Sequence, residues 1–331
     1  MNCSGYKVLL VGCGQLGSWH LQALASLALI SNIEVLDPDP QSLEMGKQRV
    51  RELHDDQIFE KIRWITALED ATSGGDLCVI AIQAKGRCQL MRSIADKLGY
   101  SSFILEKVVD QSVSAIENAI SFCNEHEISC WVNFQTRVVP TYRRVKQKLG
   151  GTDPIYFSAI GGSQVLVSNA IHTADLFVYY DECASIDQVT SRIDQLLHPS
   201  KRGSDIYDLT GTIQGYTSKG SSLTLSYGQG ESPWEHFSIA SKNYRCVIDT
   251  MSGWMMESEP SSDWQWRPVT FEGTVLVSQT TKDIATDILT DGICKLPSIE
   301  ESLISHRFLL NELLPHFSAL TGSQLESCPV T

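Results

Sequence analysis

Two charged residues, Glu106 and Lys107, directly follow the apolar run FIL at positions 103–105. Strands that are buried on both faces read as continuous apolar runs, so charges at the end of one mark either solvent or a functional site. In parallel sheets, ligands bind beyond the carboxyl ends of the strands, and Gln83 follows another apolar run in the same way. A lysine at such an edge can donate a hydrogen bond to a substrate hydroxyl or carbonyl and stabilise charge that develops there. We therefore expect Gln83, Glu106 and Lys107 to line one crevice.

A glycine fingerprint, GCGQLG at positions 12–17, follows the apolar run YKVLLV and opens a helical pattern. Gly12 permits a tight turn, Gly14 lets a pyrophosphate approach the backbone, and Gly17 lets helix and strand pack closely. The free amides of the first helical turn, including those of Gln15 and Leu16, then face the phosphate charge. A flexible loop is the alternative for an isolated GxGxxG, but here the flanking strand and helix lie where the fingerprint requires them. The sequence therefore predicts a dinucleotide-binding loop.

An aspartate, Asp37, ends the second strand-like run, IEVLD, twenty positions after Gly17. A carboxylate at this distance from the glycine loop can accept hydrogen bonds from the adenosine ribose hydroxyls. It would also repel a 2′-phosphate, Asp39 adds to that repulsion, and no lysine or arginine follows before Lys47. The prolines of DPDP also fit a solvated turn, yet that interpretation leaves the spacing from the glycines unexplained. We therefore expect NAD rather than NADP as the cofactor.

His172 lies in a helical pattern, SNAIHTADLFVYY at 168–180, in the second half of the chain. A neutral imidazole can take a hydroxyl proton while hydride leaves the same carbon. Asp175 is three residues further on and shares a helix face with His172, so its carboxylate can orient the ring. The alternative is a histidine that simply packs at a domain interface. Asn133, Gln135 and Arg137, in the segment WVNFQTRVVP, are candidate donors and acceptors for polyol hydroxyls or else part of a strand and hinge.

These residues require elements that bring them together, and the first 136 residues supply them by alternating strand-like and helical patterns. Such alternation predicts βαβ units and a doubly wound parallel sheet. From about residue 137, polar and apolar residues alternate in many short runs, which predicts an open, mainly antiparallel sheet with one face covered. We thus expect an α/β Rossmann domain at 1–136 and an α+β substrate and oligomerisation domain at 137–331.

The composition, with 42% hydrophobic and 20% charged residues among 331, is that of an ordinary globular protein. The formal net charge of −13 argues against nucleic acid or an anionic membrane as a partner. No stretch has the ~18–20 consecutive apolar residues of a membrane span, and the amino terminus does not resemble a signal peptide. Ten scattered cysteines without a CxxC pair favour reduced thiols, no metal site and a cytoplasmic location.

The order of these motifs along the chain resembles that of the Gfo/Idh/MocA family. The shared motifs are the glycine fingerprint with a histidine three residues later (His20), the aspartate at the second strand end, the EK pair, the NFQTRVVP segment and a helical HxxD. The resemblance covers essentially the whole chain. It implies a two-domain oxidoreductase that transfers a hydride between NAD(H) and a secondary hydroxyl or ketone of a sugar, sugar acid, sugar nucleotide or polyol. Glucose–fructose oxidoreductase and inositol dehydrogenases are members of this family.

The resemblance also implies roles for individual residues. Lys107 would contact the reacting hydroxyl, and Glu106 would lie near the nicotinamide. His172 would be the catalytic base, because the family's Asp-x-x-x-His motif falls on positions 168–172. The residues expected to contact the substrate are Asn133, Arg137, Asn169 and Asp175.

Three positions depart from the family pattern. The proline that follows the EK pair is replaced by Val108, and the aspartate four residues before the histidine is replaced by Ser168. Arg87 stands where the family carries a histidine after the fourth strand, which would suit an anionic substrate. These changes keep open the alternative of a catalytically weak NAD(H)-binding paralogue that acts as a sensor or partner subunit. A further alternative, implied by the activity of some relatives in the resembled family, is a reductase of a non-sugar carbonyl or imine.

Two segments bear on assembly and on the end of the chain. The aromatic-rich SGWMMESEPSSDWQW at 252–266 can be a sheet face that buries against another subunit, and members of the resembled family commonly pair through this sheet. We expect a homodimer or homotetramer through the C-terminal sheet; packing within the domain is the alternative. The tail GSQLESCPVT is expected to be frayed.

Overall fold

The structure is a computed structural model that describes residues 5–162, 166–230, 235–273 and 276–331. Their contacts divide them into two compact units. Unit 1 comprises the described residues of Met1–Asp110, Ser114–Gln135 and Thr274–Glu300, and unit 2 those of Gln111–Val113, Thr136–Gly273 and Glu301–Thr331. The sequence predicts a single boundary after residue 136, whereas the chain returns to unit 1 in its last third.

The regular elements of the described residues follow in chain order. The strands are β1 Tyr6–Val11, β2 Ile30–Leu36, β3 Ile62–Ile65, β4 Leu77–Ile80, β5 Ser102–Leu105, β6 Ser129–Val132, β7 Tyr156–Gly161, β8 Asp187–Ile193, β9 His198–Pro199, β10 Tyr207–Asp208, β11 Gly211–Tyr216, β12 Ser222–Tyr227, β13 His236–Ala240, β14 Arg245–Asp249, β15 Trp254–Ser258 and β16 Arg267–Thr270. The helices are α1 Gln15–Ala25, α2 Pro40–Arg51, α3 Asp56–Glu60, α4 Arg87–Leu98, α5 Val113–Glu125, α6 Pro140–Leu149, α7 Leu166–Asp181, α8 Val277–Asp291 and α9 Ile299–Thr321. None of the described helices combines the length and the apolar character that crossing a membrane requires.

The sheet of unit 1 is parallel, with the strand order β3-β2-β1-β4-β5-β6. Every residue of β4 is buried, as are the last four residues of β1, as expected for strands covered on both faces. The order of the strands reverses between β1 and β4, which is the point where doubly wound sheets bind ligands. The predicted doubly wound α/β sheet is therefore confirmed.

Helix α8 belongs to unit 1 although it follows the second sheet in sequence. It packs against α1, and the Thr281 hydroxyl lies 2.9 Å from His20 Nδ1. The sequence predicts a strand at TVLVSQ, positions 274–279; positions 274 and 275 lie outside the described residues, and Val277 begins α8 instead. The prediction was wrong because the alternating valines imitate a strand. The residues that α8 buries follow this run in the sequence. They are Thr280, Thr281, Ile284, Ala285, Ile288 and Leu289.

Unit 2 contains an eight-stranded sheet in the order β16-β15-β14-β13-β7-β12-β11-β8. Strands β7 and β12 are parallel and the other neighbours are antiparallel, which confirms an open, mainly antiparallel sheet. Alternate residues of β7 are buried from Phe157 onward. The Phe157 ring packs on Phe177 and Tyr180 of α7, at centroid separations of 6.4 and 6.2 Å. Helix α7 therefore covers one face of this sheet.

The C-terminal tail is docked on unit 2. The Cys328 N–H donates to the Gln111 carbonyl at 2.8 Å, and the Gln111 side chain donates to the Val330 carbonyl at 3.0 Å. Arg202 donates to the Thr331 carbonyl at 2.9 Å. Cys328 and Val330 are almost fully buried. The prediction of a frayed tail was wrong, because these residues bury apolar surface and pair their backbone groups with residues that are distant in sequence.

Candidate functional site

The glycine loop of unit 1 links β1 to α1. Gly12 has φ +88°, a left-handed backbone conformation that favours glycine. A Cβ built on Gly17 would lie 1.9 Å from the Gly12 carbonyl oxygen, so a side chain there would force strand and helix apart. A Cβ built on Gly14 would meet nothing within 4 Å. The first and third glycines thus have the structural roles that the spacing predicts, and the second leaves open space at the head of α1.

The head of α1 suits an anion. Gly14 is the N-cap, no side chain caps the helix, and its first turn holds no acidic residue. The amides of Gln15, Leu16 and Gly17 have no partner inside the helix, as in the first turn of any α-helix. Backbone donors beside an open cradle, together with the helix dipole, favour a bound phosphate. The residues present therefore fit the pyrophosphate of a dinucleotide.

Asp37 lies directly against the glycine loop. Its carboxylate accepts the Cys13 N–H at 2.7 Å and the Asp39 N–H at 2.9 Å. A carboxylate has about four acceptor positions, so two amides leave capacity for hydroxyl donors. The spacing that joins Asp37 to the glycines in sequence thus corresponds to a hydrogen bond in space, and the site fits an adenosine ribose beside the loop.

Glu106 is a buried carboxylate directly after β5. Its Oε1 lies 2.9 Å from His20 Nε2 and accepts a hydrogen bond from Asn133 Nδ2 at 2.5 Å. His20 Nδ1 in turn lies 2.9 Å from the Thr281 hydroxyl. Burial would raise the pKa of this carboxyl, but the hydrogen bonds from His20 and Asn133 and the nearby Lys107 charge lower it to about 2. Glu106 is therefore ionised and joined to side chains from α1 and from the end of β6.

Lys107 and Gln83 follow neighbouring strands of the parallel sheet. Strands β4 and β5 pair in parallel, so both residues lie beyond the carboxyl edge. Gln83 is exposed and Lys107 is half-buried. The peptide bond between Lys107 and Val108 is cis. This edge of the sheet thus carries an amide and an ammonium group that a ligand can reach.

Arg87 joins the two segments that follow β4 and β5. Its guanidinium donates to the carbonyl oxygens of Ile82, Glu106 and Val108, and it is 1% exposed. The sequence suggests that Arg87 suits an anionic substrate; the structure corrects this, because the buried guanidinium is engaged with backbone carbonyls. Arg87 fixes the backbone on both sides of Lys107.

Helix α7 of unit 2 carries His172 and Asn169, both half-buried. Asp175, on the same helix, is fully buried, and each of its carboxylate oxygens accepts a hydrogen bond from Arg137 at 2.8 Å. Burial raises the pKa of Asp175, an effect that the Arg137 guanidinium partly offsets. Arg137 also donates to Glu301 at 3.3 Å.

Three of the four residues expected to bind substrate also have protein partners. Asn133 is 2% exposed and donates to Glu106. Arg137 and Asp175 form a buried ion pair that ties α7 to the turn before α6. These contacts give Asn133, Arg137 and Asp175 structural roles, and their contact with substrate stays a prediction.

Sequence reasoning missed two carboxylates beside α7. Asp208 accepts hydrogen bonds from the amides of Val167 and Ser168 in the first turn of the helix. Glu235 accepts the Thr173 hydroxyl at 3.0 Å. Each lies 40 or more residues from its partner in sequence. No local pattern signals such contacts, so only the structure reveals them.

Comparison with known proteins identifies the fold. No family model matches the sequence, and no curated protein matches it. UDP-N-acetylglucosamine 3-dehydrogenase GnnA from Acidithiobacillus ferrooxidans is 13% identical, with a TM-score of 0.70 over 97% of this chain and 98% of that chain. A Gfo/Idh/MocA family oxidoreductase from Vibrio cholerae is 18% identical, with a TM-score of 0.70 over 96% and 100%. The transcriptional regulator Gal80p from Kluyveromyces lactis is 14% identical, with a TM-score of 0.72 over 92% and 88%. The fold is thus the one that Gfo/Idh/MocA-type structures share.

Proposed function

We propose that the chain is a Gfo/Idh/MocA-type oxidoreductase that transfers a hydride between NAD(H) and a secondary hydroxyl or ketone. The observation that carries this proposal is the arrangement of unit 1, where the glycine loop, Asp37 and Lys107 all lie at the carboxyl edge of one parallel sheet. The fold that the chain shares with a dehydrogenase of UDP-N-acetylglucosamine favours a sugar nucleotide, sugar, sugar acid or polyol as the substrate.

In this proposal, unit 1 holds the cofactor. The amides of Gln15 and Leu16 bind the pyrophosphate in the cradle that Gly14 leaves open, and Asp37 accepts hydrogen bonds from the ribose hydroxyls. The same carboxylate repels the 2′-phosphate of NADP, which favours NAD. Gln83 borders the nicotinamide side. When bound, NAD⁺ supplies a hydride acceptor and NADH a hydride donor.

The chain's own side chains handle the proton. Lys107 donates a hydrogen bond from Nζ to the reacting oxygen and stabilises the negative charge that develops on it. The buried charge of Glu106 beside it favours the protonated ammonium form. His172 takes the hydroxyl proton on an imidazole nitrogen during oxidation and returns it during reduction. Asn169, on the same helix as His172, is the proposed contact to a further substrate hydroxyl.

The first test is a calorimetric titration of the full chain with NADH and with NADPH. We expect NADH to bind more tightly by roughly tenfold or more, and Asp37→Ser to remove most of that preference. Asp55→Ser is the control, because the Asp55 carboxylate likewise accepts a backbone N–H but lies outside the proposed site. If neither nucleotide bound, the glycine loop would be purely structural and the proposal would fall.

A cofactor-binding regulator without turnover is the second candidate. The fold shared with the regulator Gal80p and the departures at Val108 and Ser168 favour it. Lys107→Ala and His172→Ala separate the two candidates, since in an enzyme both should abolish turnover and leave NADH affinity unchanged. The alternative of a non-sugar carbonyl or imine is tested by including such compounds in the substrate screen.

We propose a second copy of the chain as the partner of the open face of the eight-stranded sheet. Tyr156 and Ile160 point away from the face that α7 covers, and they are 58% and 48% exposed. The cross-strand register Ile160–His236–Asp249–Trp254 puts Trp254, 50% exposed, on the same face. Exposed apolar surface of this kind favours association. A homodimer through this face is the simplest assembly, and a homotetramer needs a second interface.

We also propose that the protein works in the cytoplasm and without nucleic acid. The nine cysteines among the described residues are all free thiols, which suits a reducing compartment. The formal net charge of −13 opposes binding to a polyanion.

A further inference from the structure

The first turn of α7 is held by a carboxylate from another part of unit 2. Asp208, in β10, accepts the N–H of Val167 at 2.7 Å and the N–H of Leu209 at 2.8 Å through Oδ1. Its Oδ2 accepts the N–H of Ser168 at 3.2 Å. Asp208 is 8% exposed, so these donors replace most of its contact with water. The carboxylate is therefore fixed beside the helix that carries His172.

Ser168 connects this carboxylate to the face of α7 that bears His172. The Ser168 side chain also hydrogen-bonds to Asp208, in addition to its amide. His172 follows Ser168 by four residues, so the two side chains lie on one helix face. Side chains of an α-helix lean towards its N-terminus, which directs the His172 ring towards Ser168. Asp208 thus contacts the residue that lies one turn before His172 on the same face of α7.

We propose that Asp208 is the positioning carboxylate of His172 and that it acts through the Ser168 hydroxyl. In this proposal the hydroxyl donates to Asp208 and accepts the N–H of one imidazole nitrogen, and the other nitrogen exchanges a proton with substrate. The aspartate that the resembled family carries at position 168 is thereby replaced in space by one from β10. This inference rests on the proposed function of His172 as the base.

Several other titratable groups lie near α7, and the Tyr227 hydroxyl among them is buried without a hydrogen-bond partner in the described part of the chain. Lys146 of α6 donates to the Tyr179 carbonyl near the opposite end of the helix. The titratable side chains beside α7, or on elements packed against it, are Lys146 of α6, Tyr207 of β10, Tyr227 of β12, Glu235 before β13, and the Arg137–Asp175 ion pair. Asp208 differs from them because it contacts both the amide and the side chain of the residue one turn before His172.

The test is an NMR titration of the His172 ring in the full chain, which requires neither substrate nor cofactor. The His172 signal is assigned by its loss in His172→Gln. Ser168→Ala and Asp208→Asn should each lower the pKa of His172 by roughly one unit and alter its tautomer, because an anion that favours the imidazolium is removed or disconnected. Adding Ser168→Asp to Asp208→Asn should restore the pKa, since the charge then returns to the helix. Asp194→Asn, an exposed carboxylate that binds Thr210, is the control and should change neither value.

An unchanged His172 pKa in Ser168→Ala would overturn the inference. That variant keeps the amide that Asp208 caps, so it remains informative even if Asp208→Asn does not fold. If Asp208 were only a helix cap, Asp208→Asn would lower thermal stability without moving the His172 titration, which also overturns it. If the His172 pKa shifts in the Ser168 and Asp208 variants but His172→Gln keeps full turnover, the coupling to Asp208 is supported and the assignment of His172 as the catalytic base is overturned.

Discussion

Glu106 has a negative charge that is satisfied inside unit 1. Its partners are His20, whose other ring nitrogen contacts Thr281, and Asn133. Removing any one of them would leave a buried donor or acceptor unsatisfied, which typically costs about 1–3 kcal/mol. The residue beside the proposed hydrogen-bond donor Lys107 is therefore one of the more firmly held side chains of the unit.

The depressed pKa of Glu106 predicts how stability depends on pH. Its value of about 2 in the folded protein lies below the ordinary 4.5, so the stabilisation is complete above pH 4.5 and is lost as the pH falls towards 2. Glu106→Gln should lower the free energy of unfolding at pH 7 by up to about 3 kcal/mol and remove this part of the acid dependence. Urea unfolding at a series of pH values measures both. Glu125→Gln, at an exposed position, is the control; an identical acid dependence in Glu106→Gln and the parent would contradict the prediction.

Arg87 gives a second prediction at the scale of single residues. Arg87→Met should destabilise the protein by roughly 2–5 kcal/mol, because several buried carbonyls lose a charged donor. Arg87→Lys should recover less than half of the loss, since a single ammonium lacks the planar fork of donors. Chemical unfolding measures the difference. Arg92→Met, on the same helix and with its guanidinium over the Phe122 ring, should cost far less; equal costs for the two variants would refute the assigned role.

Helix α7 is tied to the turn before α6 by the Arg137–Asp175 ion pair. We expect Arg137→Met or Asp175→Leu alone to cost about 3–5 kcal/mol, because each leaves a buried charged partner unpaired. The double variant Arg137→Met/Asp175→Leu should recover most of that loss. Urea denaturation of the four proteins forms a double-mutant cycle. Glu44→Gln, which removes exposed ion pairs with Lys47 and Arg51, should cost below about 1 kcal/mol. Additive losses at Arg137 and Asp175 would contradict a coupled pair.

Local sequence patterns predict the elements better than they predict their partners. The glycine loop and the strands β1, β4 and β5 are specified by residues that are adjacent in sequence, so a local pattern predicts them. Helix α8 was missed because its buried face carries two threonines and its start alternates like a strand. The contact of His20 with Thr281 spans 261 residues. Nothing in either segment alone indicates it, and the same holds for Asp208 with Ser168.

At the scale of the whole molecule, the open sheet face predicts the state of association. We expect the purified protein to sediment as a dimer or tetramer, and Ile160→Glu combined with Trp254→Glu to shift it to the monomer, because two charges would be buried at the proposed interface. Analytical ultracentrifugation measures this. Ile293→Glu, at a position 69% exposed in unit 1, is the control. A parent protein that sediments as a monomer at micromolar concentration would exclude the assembly.

The position of α8 in unit 1 has a consequence for the order in which the chain can fold during synthesis. Domains that are continuous in sequence can fold as soon as they leave the ribosome. Here the partner of α1 is encoded after the whole eight-stranded sheet, so the surface of α1 that α8 covers stays exposed until residue 291 has emerged. Most of the polypeptide is then already made. Unit 1 is consequently completed late. In a nascent chain that stops before α8, the face of α1 that α8 would cover remains exposed, and chaperones can bind it.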